Sequence, residues 1–182
     1  MNNIWKLVLL IGAGILTIIM LCVFGIQGAQ NKAFDLEEQV STAKSDINIQ
    51  EKRRADLIPN LVDCVKEYDE HEYKTLMDVI AQRGTSSDAA VAEVQTMIAA
   101  VTEAYPELKS NENYKQLMNE LSITENLIAQ YRENYNKQIK EYNRYVRKFP
   151  TRMYLDMLGY EVIEFEYLEF ENVSDAPSNL FD

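Results

Sequence analysis

From Leu7 to Gln30 the chain runs for 24 residues without a charge, and that run limits the architectures open to everything after it. Its centre reads Leu-Val-Leu-Leu-Ile-Gly-Ala-Gly-Ile-Leu-Thr-Ile-Ile-Met-Leu-Cys-Val-Phe. About 20 apolar residues rising ~1.5 Å each cross a ~30 Å hydrocarbon layer, so the run fits a membrane-spanning helix. The rival is a cleaved signal peptide, whose apolar core is usually about 7–15 residues with a small-x-small cleavage site. Here the core is longer, and a cut after Ala29 would put Gln27 at the minus-three position. Leu21 before Cys22 also lacks the small residue expected at a lipoprotein site. A retained anchor over residues 1–30 is therefore expected, meeting lipid through residues 7–30. Its orientation stays open. Lys6 and the terminal amine on one flank nearly balance Lys32 and Lys44, which stand among Asp35, Glu37 and Glu38 on the other.

Removing the anchor leaves about 150 residues, one domain's worth. The net charge of −11 is uneven: Asp156 to Asp182 holds eight acidic residues and no basic one, which leaves −3 for the rest. An acidic balance argues against nucleic-acid binding, which needs Lys and Arg to neutralise phosphates. It argues equally against a domain lying on anionic lipid. Cys22 falls in the apolar run and Cys64 in a soluble helix, so no disulfide framework is expected. Cys64 reads as a small buried apolar residue.

From Asn31 to Arg83 there is no glycine, and apolar residues recur at helical spacing. Leu36, Val40, Ala43 and Ile47 form one stripe; Leu57, Leu61, Cys64, Val65 and Tyr68 form the next, followed by Leu76, Val79 and Ile80. Pro59 interrupts the second stripe. A proline inside a helix costs ~3 kcal/mol, but the first turn tolerates it. Asp56 could cap a helix starting at Leu57. A break at Arg54–Asp56 is the preferred reading, with a kinked continuous helix as the alternative. Gly84 to Asp88 is a loop signal with serines available as caps. Val91, Val94, Ile98, Val101 and Tyr105 then predict a helix ending before Pro106. Lys109 to Glu112 opens the last long helix, with cap residues and an acid in the first turn.

That helix carries the strongest pattern. Tyr114, Leu121, Ile128, Tyr135, Tyr142 and Phe149 lie seven apart, and Leu117, Thr124, Tyr131 and Tyr145 fill the alternate positions. Glu125 and Arg132 lie off this seam. Buried tyrosines need hydroxyl partners, and Asn126, Asn134, Asn136 and Asn143 are candidates. Phe149-Pro150 ends the helix, and a short amphipathic piece follows around Tyr154–Leu158. Beyond Gly159, Ile163 to Tyr167 alternates with period two, which suits a strand or an extended arm, although no second strand is available to pair with it. Asn172 to Asp182 reads as disordered.

Reaction chemistry finds little here. His71 is the one histidine. Glu67 lies four residues before it, on one helix face. A bundle di-metal site needs a Glu-x-x-His pair on each of two helices, and a zinc protease needs His-Glu-x-x-His. The cluster therefore reads as a solvated acidic face. No Ser-His-Asp or Cys-His arrangement can be built without that same histidine, and there is no phosphate-binding glycine loop. The expectation is a protein that is not an enzyme, with no catalytic residues, cofactor or metal. Arg53 and Arg54 could form a local pair with Asp56 or a docking patch that recognises a carboxylate.

Gln50-Glu51-Lys52-Arg53-Arg54-Ala55-Asp56-Leu57-Ile58-Pro59-Asn60-Leu61-Val62, with Val65-Lys66 and His71-Glu72 downstream, closely resembles the signature of the LemA family. Glu103-Ala104-Tyr105-Pro106-Glu107-Leu108-Lys109 does so too, as does the block from Leu117 through Thr124-Glu125-Asn126, Arg132, Tyr135-Asn136 and Tyr142-Asn143 to Phe149-Pro150. These blocks stand in the family's order over about residues 43–170. Two departures fall near the membrane: a Tyr-Asn pair is absent near Asn31, and Lys44 stands where Trp often follows Ala. The resemblance implies a single amino-terminal membrane helix, a helical bundle, no assigned catalytic residues and a short amino terminus outside the cytoplasm. It also implies single-pass residence in a bacterial cytoplasmic (inner) membrane.

The expected fold is all-α: an N-terminal transmembrane helix, then an elongated antiparallel bundle of three to four helices over residues 31–158, then an acidic aromatic arm over 159–182. Asn111 to Lys148 would be a helix of roughly 57 Å at ~1.5 Å per residue. Its partner from Val91 to Tyr105 covers under half of that, so another helix of this chain or of a second copy must cover the rest of the seam, and a homo-oligomer is expected. Candidate interaction residues are Arg53 and Arg54, Tyr135, Tyr142 and Tyr145 on the seam, and Phe165, Tyr167 and Phe170 on the arm. The arm could instead engage another envelope protein, such as a membrane protease or sensor.

Overall fold

A computed structural model describes residues 3–84 and 88–169. The fold is all-helical: among the described residues there are six helices and no strand. They are α1 (Asn3–Asp63), α2 (Glu70–Arg83), α3 (Asp88–Ala104), α4 (Pro106–Ser110), α5 (Glu112–Arg147) and α6 (Thr151–Met157). The serine caps expected at 85–87 lie outside the described residues.

The helix α1 changes its surroundings along its length. From Trp5 to Phe24 its large apolar side chains are exposed. Ala29, Ala33, Leu36, Val40, Ala43 and Ile47 are then buried at steps of four and three, which keeps one stripe facing a partner helix. The break expected at Arg54–Asp56 does not occur, because α1 runs through Pro59 to Asp63. Leu57, Ile58, Leu61 and Val62 are all buried around the proline. Burying several such side chains, at about 1.5–3 kcal/mol each, outweighs the proline's ~3 kcal/mol. The Asn60 side-chain amide also donates to the Asp56 carbonyl at 3.0 Å.

The chain divides into two compact units. One is Ala43–Glu133. Its core gathers Ile58, Leu61, Val62 and Val65 with Leu76 of α2, Val91, Val94, Ile98 and Val101 of α3, Leu108 of α4, and Tyr114 and Leu121 of α5. The true chain break in this unit falls at residues 64–69. There Asp69 caps α2, accepting from the His71 and Glu72 N–H groups at 2.8 and 3.0 Å. The reading of Glu67 and His71 as one helix face is thus corrected: Glu67 lies in the turn before α2. Tyr105 donates to the other Asp69 oxygen at 2.8 Å. Pro106 begins α4, and Asn111 caps α5 by accepting from the Tyr114 N–H at 3.1 Å. Cys64 is half-buried beside the core.

The second unit comprises residues up to Thr42 together with those from Asn134 onward. In it α1 and α5 run antiparallel, and α6 and the segment 158–169 complete it. The heptad seam of α5 holds at Tyr114, Leu121, Thr124, Ile128, Tyr135 and Tyr142, but Phe149 is 82% exposed and not a core residue. The buried line passes instead through Ile139 and Val146. A straight helix drifts ~20° per heptad from a 3.5-residue repeat, so after three heptads the buried position moves on by one residue. In this unit the seam's cover comes from α1 and the carboxy-terminal arm of the same chain.

Candidate functional site

In the unit Ala43–Glu133 the stripe of α1 brings a cation to a core position. Arg54 continues the four-three steps of Ala43 and Ile47, and its side chain is 2% exposed. Its Nη1 donates to Asp88 Oδ1 at 2.8 Å and lies 3.3 Å from Glu125 Oε2. Arg132 completes the cluster, with Nη1 on Asp88 Oδ2 at 2.7 Å and Nη2 on Glu51 Oε1 at 2.9 Å. Two arginines and three carboxylates thus interlock α1, α3 and α5. The Arg132 hydrogen bond, reinforced by Arg54, holds the Asp88 carboxyl below the usual aspartate range against the opposing effect of its burial. The arrangement sets two guanidinium groups among three carboxylates and ties three helices together. Arg53, one residue away and rotated by ~100°, is 50% exposed and lies 3.8 Å from Glu120.

The other unit holds the aromatic candidates. Beyond Gly159, which takes a positive φ of 67° that glycine tolerates, residues 160–169 lie extended against α5 and α1. Tyr160 packs edge-on to Phe34, with ring centroids 5.7 Å apart, and donates to Glu37. Because that proton is committed, Tyr142 donates to Tyr160 across 3.1 Å, and its oxygen accepts the Ile163 N–H at 2.9 Å. Burial first, and then the bonds to Glu37 and Tyr142, push the Tyr160 phenol far above its usual range. Phe165 meets the Tyr142 ring edge-on at 5.1 Å. The Asn136 side-chain amide brackets Leu168, accepting its N–H at 2.9 Å and donating to its carbonyl at 2.8 Å. A side-chain amide here performs the pairing that a neighbouring strand would otherwise supply. The alternating segment is accordingly an extended arm and not a strand.

The structure brings Tyr142 and Phe165 together, buries Tyr135, and places Tyr145 on the Ala29 carbonyl at 3.3 Å. Tyr167 is half exposed and Phe170 lies outside the described residues. Asn126 and Asn134 do not serve the seam hydroxyls: Asn126 bonds the Ser122 carbonyl and Asn134 the Gln138 amide, while Asn136 holds the arm. Sequence reading passed over Glu51, Asp88, Glu125 and Arg132 as parts of one cluster. Extending the Leu36–Val40–Ala43–Ile47 steps to residue 54 would have flagged an arginine on a buried line in need of carboxylates.

The LemA family model matches residues 43–181. The protein LemA of Metamycoplasma hominis is 28% identical over 166 residues, covering 84% of this chain and 76% of that protein. The magnetosome proteins MamQ 1 and MamQ 2 of Paramagnetospirillum magneticum are each 32% identical over 80 residues. Those alignments span 44% of this chain and only 29% of each MamQ protein. With an apolar helix 0% buried at its amino end and the family match over both units, the chain is a membrane-associated member of the LemA family.

Proposed function

We propose that the chain is a non-enzymatic, single-pass scaffold of the bacterial inner membrane whose copies assemble side by side. The observation that carries this reading is α1: one helix presents a fully uncovered apolar span and then, without a break, supplies the core stripe of the helical fold. Force or position imposed on the span is thereby passed directly into the packed region. The uncovered span can meet only lipid or another span, which supports lateral assembly. The length of α5 no longer demands a second copy, because its seam is covered within the chain. Assembly would run through other surfaces. Mass measured on the chain in lipid nanodiscs and in gentle detergent tests it. A multimer is expected, and a monomer mass unchanged across concentration would refute assembly.

A second reading is favoured by one observation on the arm. Ile163, Tyr167 and Leu168 stay exposed beside Glu161, Glu164, Glu166 and Glu169, leaving an acidic apolar edge open to a basic envelope protein. Removing Gly159–Asp182 separates the two ideas. Capture of a partner would be lost under this reading, whereas the multimer would persist.

A further inference from the structure

The net charge of −11 conceals a local reversal where α5 ends. From Tyr142 to Leu155 there are four basic residues, Arg144, Arg147, Lys148 and Arg152, and no acidic one. All four are exposed. Among the described residues, Arg144, Arg147 and Lys148 take part in none of the ion pairs, and Arg152 reaches only Asp156 at 3.9 Å. The same corner exposes large apolar side chains. Phe149 is 82% exposed, Met157 69% and Met153 46%, while Thr151 and Leu155 turn inward. Water is a poor place for such a group of side chains.

Its position in the unit explains it. Tyr145 bonds the Ala29 carbonyl, and the Tyr154 ring lies against Gly25, its Cε2 4.0 Å from where a Cβ would stand. Gly25 is 20 residues beyond Trp5, and 20 residues at ~1.5 Å make ~30 Å, the thickness of the hydrocarbon layer. Trp5 suits one interface, where tryptophan collects. Gly25, and with it α6, then stands at the other. We propose that the α5–α6 corner is a second membrane contact: it seats Phe149, Met153 and Met157 among the acyl-chain ends of the bilayer that α1 crosses, and its four basic side chains bind anionic lipid headgroups. The occupant is the lipid surface itself, because the patch is continuous with the span and its charge complements that surface. Each basic side chain near an anionic surface multiplies binding about fivefold, so the cluster outweighs the exposed Asp156 beside it. The acidic total argues against a domain lying on anionic lipid, and this corner would be the exception to it.

The inference rests on α1 crossing the bilayer, which flotation of the full chain with vesicles checks separately. In the corner test, the full chain with Cys22→Ala, Cys64→Ala and Met157→Cys carries an environment-sensitive fluorophore at position 157. It is placed in nanodiscs of phosphatidylcholine alone or with phosphatidylglycerol. Emission should shift to the blue with phosphatidylglycerol. It should return most of the way to the water value at ~0.5 M salt, where screening shortens to a few ångströms, or when Arg144, Arg147, Lys148 and Arg152 are all replaced by Gln. In the unlabelled chain, amide exchange over residues 144–158 should slow with phosphatidylglycerol, which guards against an effect of the dye. Water-like emission in both discs overturns the corner's contact. An equal blue shift in both lipids, kept in the Gln variant, overturns headgroup binding. A chain that does not float overturns the anchor as well.

Discussion

The same two helices, α1 and α5, build both units, yet each unit closes its polar groups differently. In Ala43–Glu133 the closing groups are charged, and one of them, Arg54, is almost wholly buried. In the unit of residues up to Thr42 and from Asn134 onward, the groups that close the seam are mostly neutral hydroxyls and amides, laid over it by an arm. The difference teaches where each unit is vulnerable. A buried charge that loses its partners is expensive, whereas a neutral hydrogen bond near the surface is worth about 0.5–1.5 kcal/mol net. The charged unit should therefore fail abruptly on a single substitution, and the tyrosine unit should loosen by degrees.

The largest expected effect is at the arginine cluster. Arg54→Ala removes the buried partner of Asp88 and Glu125, and should cost about 3 kcal/mol, the lower end for breaking buried pairs because both carboxylates are partly exposed. Hydrogen exchange over Ala43–Glu133 should rise first. Arg54→Lys should recover little, since an ammonium cannot present the planar fork. If Arg54→Ala and Asn136→Ala cost the same, the contrast between the units collapses.

Acid should expose the same cluster. Asp88 titrates lower in the folded chain than its ordinary value of 3.8, so between those two values the unfolded chain binds more protons. Its contribution is present in full above the ordinary value and is lost as pH falls through the lower, folded one. Asp88→Asn should flatten thermal stability measured by circular dichroism across that window, and an unchanged acid slope would argue against the cluster. Next in size is removal of Gly159–Asp182, which uncovers Tyr142 and leaves Asn136 without Leu168. Roughly 2 kcal/mol should be lost, read as faster exchange in α5 beyond Asn134. Tyr142→Phe should cost about 1 kcal/mol through the Ile163 and Tyr160 bonds alone. The smallest effect is at Arg53→Ala, within about 0.5 kcal/mol, as surface pairs usually give. One residue separates it from Arg54.

Much of this fold could be read from the residues. Pro106 marks where α3 ends and Asn111 where α5 starts by local chemistry, and the apolar run and the α5 seam announce themselves by length and period. What could not be read depended on distant partners. Pro59 suggested a break at Arg54–Asp56 with a new helix after it, and only the buried Leu57, Ile58, Leu61 and Val62 show why α1 continues. Arg54 was visible as one of a basic pair, but Asp88 is 34 residues away and Glu125 71, beyond any local rule. Phe149 was assigned to the core by carrying the heptad past Arg147, where α5 ends. The arm was recognisable as extended, while the Asn136 bracket that replaces its missing strand partner was not.

The central claim is that α1 carries an uncovered membrane span directly into the packed fold. Spin labels placed singly from Trp5 to Leu36 in the full chain, reconstituted in lipid, test it most directly. The account predicts exclusion of a water-soluble relaxation agent from Leu7 to about Phe24, at every position around the helix. Beyond Ala29 the labels should show the four-three rhythm of Ala29, Ala33 and Leu36 facing protein. Access of the water-soluble agent to Ile11 through Phe24 would contradict it.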